Sequence, residues 1–191
     1  KMTDASMFYG RSGMIGQIME MICLPNSERM NYGRAVSLYG QTRTGKSSLM
    51  YHLKEGLKEK YGERILIWDM ANIGEIKVGE DANDYLVNFL YTMLDIGAEA
   101  IDENSRICAA VEEKGLEPPL DLIMEKPFSA MNYFTSYMRK LNHVLQENNC
   151  IIVLFIDEFT YLHGQIKSGK LSEDFMKFWK AFLQNYCVFA I

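Results

Sequence analysis

VSLYGQTRTGKSS, residues 36–48, sets a short apolar run against a turn that holds two glycines, a lysine and two serines. Residues 40–47 fit the spacing G-x-x-x-x-G-K-[ST]. A strand-like run, AVSLY at 35–39, precedes it. A helical pattern follows, with Leu49, Met50, Leu53 and Leu57 on one stripe. Each position has a physical reason. Gly40 and Gly45 let the backbone turn tightly, so that the N–H groups around Gln41, Thr42, Arg43 and Thr44 can converge on phosphate oxygens. The start of the helix adds its partial positive charge. Lys46 supplies a mobile point charge for the β and γ phosphates. Ser47 offers a hydroxyl oxygen to Mg²⁺, and Ser48 reaches toward the α phosphate. Arg43 suits a phosphate contact and an exposed loop equally well.

A phosphate loop alone leaves the reaction open, and a second stretch narrows it. IIVLFI at 151–156 is a continuous apolar run that ends in Asp157 and Glu158. That pattern is a buried parallel strand with two acids at its carboxyl end. Asp157 is expected to hold Mg²⁺ through water. Glu158 is expected to take a proton from an attacking water or orient it. A carboxylate directly after the aspartate favours hydrolysis over transfer to a second substrate.

FYGR at 8–11, YGQTRTGKSSL at 39–49 and VLFIDEFTYL at 153–162 resemble the AAA-like and signal-transducing (STAND-type) P-loop ATPases of the additional-strand, catalytic-glutamate class. The resemblance is nearest to bacterial AAA-like domain ATP-binding proteins and spans nearly the whole chain. It implies a three-layer α/β/α sandwich with a mainly parallel sheet, binding Mg²⁺ and ATP. It places Gly10 and Arg11 at the adenine or phosphate edge. It also implies that the strand after the acid-tipped strand inserts beside the phosphate-loop strand. The expected order is 35–39, 186–191, 151–156, 64–70. A polar sensor residue, a lid and an arginine finger would follow residue 191. Residues 1–191 are therefore read as the N-terminal portion of an ATPase core cut after its fourth strand, expected to turn ATP over weakly or not at all by itself.

Between these motifs the pattern alternates. Ile15, Ile18, Met19 and Ile22 share a helical face over 12–23, before Pro25. RILIWDM at 64–70 reads as a strand buried on both faces, with Asp69 a plain strand-end acid. Residues 81–97 read as a helix capped by Gly97, and residues 98–115 as a weaker one ending at Gly115. Pro118, Pro119 and Pro127 bracket a loop. Phe128, Met131, Phe134, Met138, Leu141 and Leu145 mark a long helix. Ser172 caps a helix with Glu173 and Asp174 in its first turn and Phe175, Phe178, Trp179 and Phe182 on its core face. Residues 186–191, YCVFAI, read as the fourth strand. Strands alternating with helices point to an α/β class.

Bulk composition sets the outer bounds. The 191 residues are 48% hydrophobic, a globular composition. No run approaches a membrane span. Cys23, Cys108, Cys150 and Cys187 have no metal-binding spacing and sit in apolar contexts, as reduced buried thiols of a cytoplasmic protein do. His52, His143 and His163 share no spacing. Net charge is −5 and uneven. Residues 1–60 hold nine Lys and Arg against five Asp and Glu, while 61–150 hold seven against sixteen. An acidic middle argues against wrapping by nucleic acid. The function expected is a nucleotide-dependent switch acting on other domains of the same protein, with self-association open. The alternatives are a DNA-associated helper or motor ATPase and a non-hydrolysing nucleotide-binding scaffold. Glu158 counts against the scaffold.

Overall fold

The computed structural model describes residues 12–26, 34–38, 45–70, 73–76 and 82–191. Within them a parallel sheet runs in the order β1 (Arg34–Ala35), β4 (Val188–Ala190), β3 (Ile151–Ile156), β2 (Ile65–Met70). This is the order anticipated above. β3 has the bounds the sequence suggested and β2 starts one residue later, while β1 and β4 are shorter than expected, with hydrogen bonds continuing past them. Val36 N–H donates to Ala190 O at 2.9 Å, and Ile191 N–H to Leu154 O at 2.9 Å.

All six residues of β3 are buried. β2 differs from its expected double burial, because Ile67 is half-exposed and Asp69 exposed. Among the described residues, β2 has a hydrogen-bonded neighbour on one side only. Asp69 and Phe155 lie side by side in register. On their face runs α2 (Lys46–Tyr61), whose Lys54 pairs with Asp69 and stands 5.0 Å over the Phe155 ring. Leu49, Met50, Leu53 and Leu57 of α2 are buried, as their spacing predicts. Helix α1 (Ser12–Met21) packs on α2, and Tyr61 donates its hydroxyl to Met19 O and Ile22 O at 3.0 and 3.2 Å.

The opposite face carries α3 (Ala82–Asp102), α6 (Ala130–Glu147) and α8 (Asp174–Asn185). Aromatic rings join them. Phe89 meets Phe175 edge-on at 5.2 Å, and Phe134 meets Phe178 at 5.8 Å. Helices thus cover both faces of the sheet, the arrangement an all-parallel sheet requires. Ser172 stands one residue ahead of the expected place, because Glu173 is the N-cap of α8, and its Oγ accepts the Asp174 N–H at 3.3 Å. Buried Asn142 of α6 accepts the Cys187 N–H at 2.7 Å and so ties the helix to the start of β4.

The remaining helices are α4 (Ser105–Glu113), α5 (Leu120–Glu125) and α7 (Thr160–Lys167). α5 replaces the loop expected between the prolines. Phe128, read as the start of the α6 stripe, is 97% exposed in a 3-10 turn ahead of that helix. Gly115 ends α4 as predicted. At φ +55° it lets its own N–H reach Glu112 O and the Leu116 N–H reach Val111 O. Asn104 does three jobs. Its Oδ1 caps α4 at the Ile107 N–H, and its Nδ2 donates to Glu63 O and Ile65 O. Because the Met70 carbonyl bonds inward to the Asp157 N–H, strand alternation turns the Ile65 carbonyl to the outer rim of β2.

Gly97 is not a cap. α3 runs through it to Asp102, and a Cβ there would lie 2.6 Å from Trp68 Cζ2. The missing side chain lets α3 close onto the indole of β2. Gly97→Ala should therefore destabilise the protein by about 1–3 kcal/mol, the cost of overpacking. Gly164→Ala in α7, where nothing lies within 4 Å, should stabilise it by about 0.5–1 kcal/mol. Urea unfolding of both variants checks this, and equal midpoints would contradict it.

None of the four cysteines is in a disulfide. Cys150 and Cys187 are buried, and Cys23 and Cys108 half-buried. Burial pushes the Cys150 and Cys187 thiols from 9.0 up to about 12. It also pushes the Tyr85 and Tyr137 phenols from 10.0 up to about 12, with smaller contributions from Tyr161 and Asp102 respectively. These groups fold in their protonated forms, and the unfolded chain ionises first. Their contribution is complete below about pH 9 and drains away between pH 9 and 12. Melting temperature should hold level up to about pH 8.5 and then fall. A level profile from pH 9 to 11 would contradict the assignment.

Candidate functional site

Because every strand is parallel, every strand ends at the same edge of the sheet, where α/β proteins bind ligands. The structure brings two of the sequence motifs to this edge. α2 starts at Lys46, following Gly45 at φ +80° and ψ 25°, in the left-handed region that a residue with a Cβ enters only at a cost. Leu49 N–H closes the first helical turn onto Gly45 O at 3.0 Å. No cap side chain accepts from the first-turn amides, and no acid sits among those residues. The positive end of the helix dipole is therefore not neutralised by its own helix. Lys46 and Ser48 are half-buried and Ser47 exposed. Gly10, Arg11, Gly40, Gln41, Thr42, Arg43 and Thr44 lie outside the described residues.

Asp157 and Glu158 follow β3 directly. Asp157 is half-buried, and its Oδ1 accepts the Glu158 N–H at 3.0 Å. Glu158 is exposed and adopts φ +59°, one of two non-glycine residues at positive φ among those described. The other, Asn149, closes α6, a role asparagine fills well. Glutamate has no such side-chain compensation, so its conformation costs about 1–2 kcal/mol. The turn is held from below, the Tyr161 N–H donating to Glu158 O at 2.7 Å. The Glu158 carboxylate leans toward the turn after β2, with Oε2 3.8 Å from where a Cβ on Gly74 would stand. Phe159, next in line, packs against Trp179 of α8 with the rings tilted by 42° and their centroids 5.7 Å apart. Asp69, read from the sequence as a plain strand-end acid, is paired with Lys54.

No family model, curated protein or solved structure matches the chain.

The donor set suits a phosphate and a hard cation. An uncapped helix start follows a left-handed glycine. A hydroxyl from Ser47 and a carboxylate from Asp157 belong to the same sheet edge, and both are oxygen ligands that Mg²⁺ accepts alongside water. Among the described residues, no group of three or more His, Cys, Asp or Glu gathers into a metal site. Sequence spacing singled out Glu158 but could not show its backbone strain. It gave no hint of Gly74, whose proximity to Glu158 is purely tertiary.

The strain is testable. At an ordinary position glycine is less stable than alanine by about 0.5–1 kcal/mol. At 158 the order should reverse, with Glu158→Gly more stable than Glu158→Ala by about 1 kcal/mol in chemical unfolding. The usual order would mean that residue 158 is not left-handed in solution.

Proposed function

We propose that the chain is the Mg·ATP-binding and hydrolysing core of a P-loop ATPase that serves as a nucleotide-dependent switch for other domains of the same protein. The observation that carries this reading is the strand order. The strand after the acid-tipped β3 lies between β3 and β1, the strand that leads to the glycine-lysine-serine turn. With that motif spacing, this topology is the arrangement expected of the additional-strand class.

In this reading the Lys46 ammonium and the first-turn amides of α2 bind and orient the phosphates. Bound Mg²⁺ would offset the negative charge of the phosphates. Ser47 Oγ and the Asp157 carboxylate are the groups that would hold it. Oδ1 of Asp157 already fixes the Glu158 amide, so the same side chain links the cation position to the backbone of the proposed base. Glu158, exposed and next to Gly74, would orient a water and accept its proton. The α8 aromatic face, touching the turn through Phe159 and Trp179 and leading straight into β4, is a route by which the site's state could reach the rest of a longer protein.

The experiment separates binding from chemistry. Lys46→Ala should weaken binding of a fluorescent ATP analogue by about 10- to 100-fold, the worth of one charge-assisted hydrogen bond, with the circular-dichroism spectrum unchanged. Glu158→Gln should keep Mg·ATP binding while lowering hydrolysis, measured in the longest native form of the protein, by roughly 10²–10⁴-fold. Equal affinity of wild type and Lys46→Ala would refute the site.

A further inference from the structure

Lys54 lies about two turns beyond Lys46 on α2, and its ammonium is fixed twice. It pairs with the Asp69 carboxylate and stands 5.0 Å over the Phe155 ring. The Lys54 side chain is only 19% exposed, against 41% for Asp69. The pair is open on the carboxylate side, where water weakens it, and closed on the ammonium side. It therefore holds a shielded cation at one point on the α2 face of the sheet. That point adjoins the end of β3. Because Lys54 stands over its ring, Phe155 faces α2. The β2–β3 ladder runs on through Asp157, whose N–H donates to Met70 O at 3.4 Å. Strand alternation then turns Asp157, two residues beyond Phe155, to the same face. Asp69 is the partner of Phe155 in register. One step across the sheet and two along it separate the two aspartates, which puts their Cα atoms about 8 Å apart. Two carboxylates and one ammonium thus share the α2 face where β2 and β3 end.

We propose that Lys54 is a positioning residue of the nucleotide site, acting through Asp69. It cancels the charge of Asp69, so that this carboxylate adds nothing to the field around Asp157, and the site thereby favours a cation that arrives with phosphate over one that arrives alone. The inference rests on the ATPase reading and adds to it a pair outside both motifs. A bare divalent cation is drawn by every carboxylate near Asp157, while the phosphates of a nucleotide are repelled by them. Neutralising Asp69 weakens the first pull and removes part of the second repulsion. A charge acting over about 8 Å from a partly shielded position is worth a few-fold in a binding constant. The cation–π contact with Phe155 keeps the ammonium on the site side of α2, where a freely moving lysine would spread its charge into solvent.

The test uses two probes on the longest native form of the protein. One is Mn²⁺ alone, followed by water-proton relaxation. The other is the fluorescent ATP analogue in metal-free buffer. Lys54→Gln uncovers the Asp69 charge, so Mn²⁺ should bind about threefold more tightly and the analogue about threefold more weakly. Asp69→Asn uncovers the ammonium instead, and both shifts should reverse. The double variant Lys54→Gln/Asp69→Asn restores the net charge without restoring the pair, and both affinities should return to near the wild-type values. A pair that serves only to pack α2 on β2 would move both single variants in the same direction and leave the double variant impaired. That pattern, or unchanged affinities in both single variants, would overturn the proposal while leaving the ATPase reading intact. Failure of wild type to bind the analogue even with Mg²⁺ would overturn both.

Discussion

Six consecutive buried residues, 151–156, hydrogen-bond into neighbours on both sides, and most of the architecture answers to that constraint. A strand dry on both faces needs a layer of helices above and below it. One layer is α2 with α1 behind it. The other is the aromatic assembly of α3, α6 and α8. Parallel pairing also forbids hairpins, so each return to the sheet passes through helices, and every strand ends at one edge. The same geometry that protects β3 from water thus delivers its terminal carboxylates to the side of the sheet where α2 begins.

Much of this was legible because it rests on period and on local chemistry. The α2 and α6 stripes, the continuous apolar run of β3, and the glycine at the end of α4 are properties of neighbouring residues. What was not legible depended on residues distant in sequence. Gly97 looks like a helix stop, yet its absent side chain is needed for Trp68, twenty-nine positions upstream. Phe128 continues a helical spacing but precedes the helix, because the chain is still in a 3-10 turn there. Asp69 interrupts a run that reads as doubly buried, and the salt partner that makes it tolerable comes from α2.

The candidate site divides the same way. Spacing alone singled out Lys46, Ser47, Asp157 and Glu158, since phosphate and cation chemistry demands those types near each other in fixed order. Spacing cannot report a backbone dihedral or an unpaired hydroxyl. The left-handed Glu158 and the buried Tyr85 phenol emerge only in the folded chain.

Asn104 illustrates how a single amide can shape the behaviour of a whole population of molecules. Its Nδ2 occupies the outward carbonyl of Ile65, at the beginning of the rim of β2. A strand from another copy seeking to extend the sheet there would have to evict a side chain that is also anchoring α4. Docking along that rim is therefore opposed from its first rung. Crowded copies of the protein meet a border already taken, and runaway stacking loses one of its natural starting points.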